Sequence, residues 1–263
     1  GSAKVTGLFI MKEWKLKKVI QILTACLAMI VVLNVSGISM KTIDINKKES
    51  KTNRRDSNLQ MESETRETIS RILNEQIQTE LPQIAITFDD GPSVCTPALL
   101  DGLKERNVKA TFFLVGENVE TYPDIVKRIY EEGHLIGNHT YHHVEITKLS
   151  DEEAMYEINK TDELIAAITG QRVQYIRPPF GVWQRELENY LDVLPVMWTV
   201  DPLDWTTENI DEVVTKVVSQ AKENDIILLH DCYKSSVEAA LRIVDLLKAE
   251  GFEFVTVDKL ILE

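Results

Sequence analysis

The sequence predicts a mainly parallel α/β fold, closed like a barrel, within residues 82–263. Three observations predict it. Short apolar runs rich in β-branched and aromatic residues alternate with stretches of helical period. About seven such units follow Pro82, which favours closure over an open sheet, though the pattern alone also admits a doubly wound sheet. Reactive side chains gather at the C-terminal ends of the apolar runs, the ends that share one face in a parallel fold.

In chain order, residues 1–10 precede Met11 and read as a tag or upstream extension outside the fold. Lys12, Lys15, Lys17 and Lys18 complete a basic segment, residues 1–18. Residues 19–38, VIQILTACLAMIVVLNVSGI, carry no charge. At about 1.5 Å per residue they reach about 30 Å, the thickness of a bilayer core. A transmembrane or signal-anchor segment in the cytoplasmic membrane is expected, crossing once with the globular part extracellular. A cleaved signal peptide is the rival, since the small residues of VSGIS follow, and cleavage would leave the protein secreted. LTAC resembles a lipoprotein box, but Cys26 lies inside the apolar run rather than after it. Residues 39–81 are polar, mixed in charge and free of aromatics, and read as a linker.

The strands of the globular part are IAITF, KATFFLV, LIGNH, QYIRP, VLPVMWTV, DIILLH and FEFVTV. Helices fall between most of them. TPALLDGLKERN offers Thr96 as N-cap and Pro97 at the first helical position. SDEEAMYEINKTDELIAAITG carries a capping box, Ser150 with Glu153, and closes at Gly170. ENIDEVVTKVVSQAKEN and SSVEAALRIVDLLKAEG complete the set.

Composition bounds the function. The chain has 263 residues, 44% hydrophobic and 27% charged, which is globular content. Its net charge of −13 is uneven: residues 1–81 hold 13 basic and 9 acidic side chains, the remainder 16 and 33. An acidic globular part argues against a nucleic-acid partner, which calls for a basic face. Three cysteines make no disulfide framework.

The polar clusters follow the strands: DDGP, HTYHH, RPPFG, DPLDW and HD. Taken alone, DDGP is a turn sequence. His139 and His143, four apart, fall on one face of a helical or turn segment within reach of one metal, with His142 a third candidate. No glutamate follows His139, so HExxH is absent, as are a serine nucleophile elbow, a phosphate loop and a dinucleotide fingerprint. Cys95 and Cys232 sit near the same face, either as free thiols or as a disulfide, which needs Cα atoms within about 7 Å.

Together these residues resemble the polysaccharide deacetylases of the NodB-homology type, carbohydrate esterase family 4. The resemblance runs through residues 82–261 on five motifs in order: TFDDGP at 87–92, HTYHH at 139–143, RPPFG at 177–181, DPLDW at 201–205 and IILLHD at 226–231. It implies a distorted (β/α) barrel that removes N-acetyl groups from an amino-sugar polymer. It also implies that Asp90, His139 and His143 hold a divalent metal, Zn²⁺ first, with Co²⁺ or Mn²⁺ able to serve. Asp89 becomes the general base and Arg177 its orienting partner. His230 becomes the general acid, with Asp204 holding it charged. The backbone N–H of Phe180 is expected to face the oxyanion, and Trp205 and Leu228 to line the acetyl-methyl pocket. A surface tether resembles that of deacetylases acting on peptidoglycan N-acetylglucosamine. Chitin oligomers come second and acetylxylan third. An inactive carbohydrate-binding module is the non-enzyme alternative.

Overall fold

The computed structural model describes residues 81–261. The predicted membrane segment and linker, residues 19–38 and 39–81, lie outside them except for Leu81. Among the described residues no helix is long and apolar enough to cross a membrane.

Seven strands form one sheet in which every pairing is parallel. They are β1 (Gln83–Gly91), β2 (Thr111–Leu114), β3 (Leu135–Asn138), β4 (Tyr175–Ile176), β5 (Leu194–Pro195), β6 (Ile226–His230) and β7 (Glu253–Phe254). The order is β5-β4-β3-β2-β1-β6, with β7 on the first residues of β1. A bridge from Val200 to Ile227 joins the segment after β5 to β6, so the ring closes as a distorted barrel. The doubly wound alternative is thereby set aside. VLPVMWTV is not one strand: its ladder to β4 ends with the Val196 N–H on Ile176 O (2.8 Å), and the chain then crosses to β6, where the N–H groups of Thr199 and Val200 donate to Ile226 O.

The described residues hold seven helices: α1 (Thr96–Glu105), α2 (Gly116–Thr121), α3 (Pro123–Glu131), α4 (Asp151–Thr169), α5 (Ile210–Val218), α6 (Lys234–Ala249) and α7 (Val257–Ile261). The Ser150/Glu153 capping box forms on α4, and Gly170 closes it at φ 76°. The Thr96 cap does not form. Cys95 occupies that position, and the Thr96 hydroxyl instead donates to Asp231 Oδ2 at 2.6 Å.

Strand alternation sorts β1. Ile84, Ile86 and Phe88 pack outward with the helices, and Phe88 stacks on Phe112 with centroids 5.2 Å apart. Ala85 belongs to the inner cluster with Phe113, Tyr175, Val196 and Val257. Thr87 and Asp89 continue that inner row upward and are both buried. The barrel is therefore apolar at its base and polar toward the C-terminal ends of its strands.

Candidate active site

Asp89 stands beside His230 of β6 and Phe113 of β2 in the sheet register. Its Oδ1 accepts a hydrogen bond from Arg177 Nη1 at 2.8 Å. Arg177 is fully buried and uses the rest of its fork on Thr87 Oγ1 (2.7 Å), Val196 O (3.1 Å) and Met197 O (3.2 Å). Its guanidinium also lies over the Phe113 ring, 4.2 Å from the centroid. A charge this deep persists because four of its five N–H donors meet acceptors, one of them a carboxylate.

The next residue turns elsewhere. A register break falls between Asp89 and Gly91, and Asp90 has φ 69°. Asn118 Nδ2 holds that backbone by donating to Asp90 O at 2.8 Å. Asp90 Oδ1 reaches His139 Nε2 at 3.3 Å and His143 Nε2 at 3.2 Å. Burial would raise the Asp90 carboxyl, but the imidazoles of His139, His143 and His230 outweigh it and hold it below its ordinary range. Thr140, His143, Phe180 and Leu203 also have positive φ, and all lie on loops that follow the strands. Non-glycine strain of this kind concentrates where a site is built.

His139 and His143 meet with ring centroids 4.9 Å apart. His139 Nδ1–H donates to Arg177 O at 2.6 Å, which leaves a lone pair on Nε2 aimed at a carboxylate. Asp90 Oδ1 is buried with no hydrogen-bond partner. Lone pair facing carboxylate is unfavourable unless a cation lies between, so these donors fit a metal of the zinc type. His142, the third candidate, does not join. Its Nδ1 pairs with Glu157 Oε1 at 2.7 Å, while Glu157 Oε2 accepts from the N–H groups of Tyr141 (3.0 Å) and His142 (2.8 Å).

Across the cleft, His230 Nδ1 meets Asp204 Oδ1 at 2.8 Å, and the His230 N–H donates to Asp204 Oδ2 at 2.9 Å. Burial would lower the His230 pKa. The Asp204 bond and charge, with Asp89 and Asp90 behind them, reverse this and raise it to about 9. The cleft has a volume of about 360 Å³, and its lining includes Phe180, Trp205 and Leu228 beside the titratable groups. Phe180 is 64% exposed and packs edge-on against His143.

All ten sequence-predicted residues thus meet at one end of the barrel. Sequence reasoning missed Thr87, Asn118, Glu157 and Asp201. Glu157 left a signal: it lies in the buried stripe of α4 with Ala154, Ile158 and Thr161, where a carboxylate needs a partner. The disulfide is not formed. Cys95 and Cys232 are free thiols, with Cys95 Sγ 3.7 Å from Cys232 O.

Comparison with known proteins accords with this geometry. A family profile described as polysaccharide deacetylase matches residues 76–197. A peptidoglycan-N-acetylglucosamine deacetylase of Bacillus cereus is 42% identical over 185 residues, covering 66% of this chain and 66% of that protein. A chitooligosaccharide deacetylase of Rhizobium leguminosarum bv. trifolii is 38% identical over 62% of this chain and 78% of that protein. The peptidoglycan-N-acetylmuramic acid deacetylase PdaC of Bacillus subtilis is 39% identical over 74% of this chain and 42% of its own length. The PdaC structure superposes with a TM-score of 0.68 at 39% identity, covering 70% of this chain and 92% of that one. The chain therefore spans about two thirds of the B. cereus relative and under half of PdaC.

Proposed function

Because the chain belongs to the polysaccharide deacetylase family, we propose that it removes N-acetyl groups from the N-acetylglucosamine of peptidoglycan, releasing acetate. Asp90, His139 and His143 would hold the metal. When bound, Zn²⁺, or Co²⁺ or Mn²⁺ in its place, supplies Lewis acidity to the acetamide carbonyl and lowers the pKa of water at the site. Asp89, oriented by Arg177, takes the proton from the attacking water. The Phe180 N–H donates to the carbonyl oxygen as negative charge develops there. His230, kept protonated by Asp204, gives its Nε2 proton to the departing nitrogen as the C–N bond breaks. Acetate and a free amine result. Trp205 and Leu228 bound the slot for the acetyl methyl.

One observation carries the reading: two separately braced proton carriers, Asp89 with Arg177 and His230 with Asp204, flank a single unsatisfied donor set. An inactive carbohydrate-binding module would have no need of paired acid and base held this way. Anchoring through residues 19–38 remains part of the proposal, with the linker 39–81 carrying domain 82–263 to the wall.

The test is bound-metal content together with acetate release from peptidoglycan, chitopentaose and acetylxylan. Metal-dependent release, greatest from peptidoglycan, is expected. Faster release from chitopentaose would move the assignment to chitin oligomers, and none from any polymer despite bound metal would favour the binding module. Release of the full-length product from membranes, with a new N-terminus near Ser36–Lys41, would overturn the anchor.

A further inference from the structure

The catalytic cleft holds one carboxylate that the proposed chemistry leaves unused. Asp201 lines the same space as Asp89, Asp90 and His230. Its Oδ1 accepts from the Leu203 N–H at 2.8 Å, which fixes the side chain in an Asx turn. Its other oxygen makes no hydrogen bond among the described residues.

Charge accounting separates it from its neighbours. Asp89 is paired with Arg177, Asp204 with His230, and Asp90 belongs to the metal set with His139 and His143. Among the described residues no Lys, Arg or His forms an ion pair with Asp201. The remaining lining is mainly apolar, with Phe180, Trp198, Leu203 and Trp205. Sugar hydroxyls entering this space have few acceptors, and Asp201 is a fixed one. A substituent that carries its own carboxylate meets, at Asp201, a negative charge that no side-chain cation pairs among the described residues, and like charges at close range repel.

We propose that Asp201 is a specificity-determining residue: it accepts a hydroxyl of the amino sugar being deacetylated and rejects sugars bearing an acidic substituent. The inference rests on the deacetylase reading and deepens it. It selects a neutral N-acetylglucosamine unit over one carrying an ether-linked lactyl carboxylate, the chemistry of N-acetylmuramic acid.

The test uses metal-loaded protein and three matched oligosaccharides. They differ only at one unit: N-acetylglucosamine, N-acetylmuramic acid, or its lactyl methyl ester. Comparing acid with ester separates charge from bulk. The parent protein should deacetylate the neutral sugar best and the acid worst. Asp201→Asn keeps the acceptor for Leu203 N–H and removes the charge. It should raise the acid-to-ester ratio of kcat/KM about tenfold, and raise KM for the neutral sugar with kcat little changed. An acid-to-ester ratio identical in parent and variant would overturn the inference while leaving the deacetylase reading intact. A metal-loaded parent that releases no acetate from any of the three would overturn both.

Discussion

Asp204→Asn tests how the His230 proton is held. Asp204 is 2% exposed and touches His230 twice, at Nδ1 (2.8 Å) and at the backbone N–H (2.9 Å). An asparagine keeps the volume and can still accept from the backbone, but its amide presents N–H to Nδ1. That exchange removes the anion and favours the neutral imidazole. With Asp204 present the pKa stands at about 9, against an ordinary 6.5. Without it, burial is left to pull the value to 6.5 or below. A fall from about 9 to 6.5 leaves roughly one thirtieth of the acid form at pH 8 and most of it at pH 6. The alkaline limb of kcat should therefore move down by about 2.5 pH units, with activity at pH 8 falling roughly 30-fold and most of the activity at pH 6 preserved. A metal at Asp90 shifts parent and variant alike, so their difference is the readout. The assay is acetate release from pH 5 to 10 with bound metal quantified. An unmoved alkaline limb, or an equal loss at every pH, would refute the argument.

The two aspartates should separate: Asp89→Asn retains metal and loses most of the rate. Asp90→Asn loses roughly 10- to 100-fold in metal affinity and regains activity with excess Zn²⁺ or Co²⁺; equal metal loss in both would contradict the division. His230→Ala should cost roughly 10²–10⁴ in kcat with metal still bound, and near-normal turnover would make it structural. Glu157→Ala frees the N–H groups of Tyr141 and His142 and should weaken metal affinity about tenfold, read by competition with a chelator against an unchanged far-UV spectrum. His134 is 5% exposed and accepts from the Ala110 N–H through Nδ1; burial, with Lys109 adding to it, pushes its pKa down to about 4. Because the unfolded chain takes up this proton below pH 6.5 and the folded one resists until about 4, the stability it contributes is whole above 6.5. Up to about 3 kcal/mol is lost between those values. His134→Gln should flatten that part of the denaturation midpoint against pH, and an identical slope in both proteins would exclude it.

The sequence by itself determined the elements and the neighbourhood of the site. The Ser150/Glu153 box and the Gly170 stop are local features set by capping, and they formed where the pattern put them, whereas the VLPVMWTV run split between two neighbouring strands. The parallel sheet then gathered all five polar motifs at one end, because strand direction alone fixes which ends share a face. Tertiary structure decided what each side chain does there. Asp89 and Asp90 are adjacent in sequence, but a register break and a positive φ send one to Arg177 and the other to the histidines. His142 has the same chemistry as His143, but Glu157 on α4 takes it. Thr96 looks like a cap until Asp231, 135 positions away, claims its hydroxyl. Asp201 and Asp204 share one motif, yet His230 neutralises only the second. Each outcome depends on a partner brought in by the closing of the ring. Arg177 stands 88 positions from Asp89, and no local pattern specifies which donor such a distant strand will deliver to a buried charge.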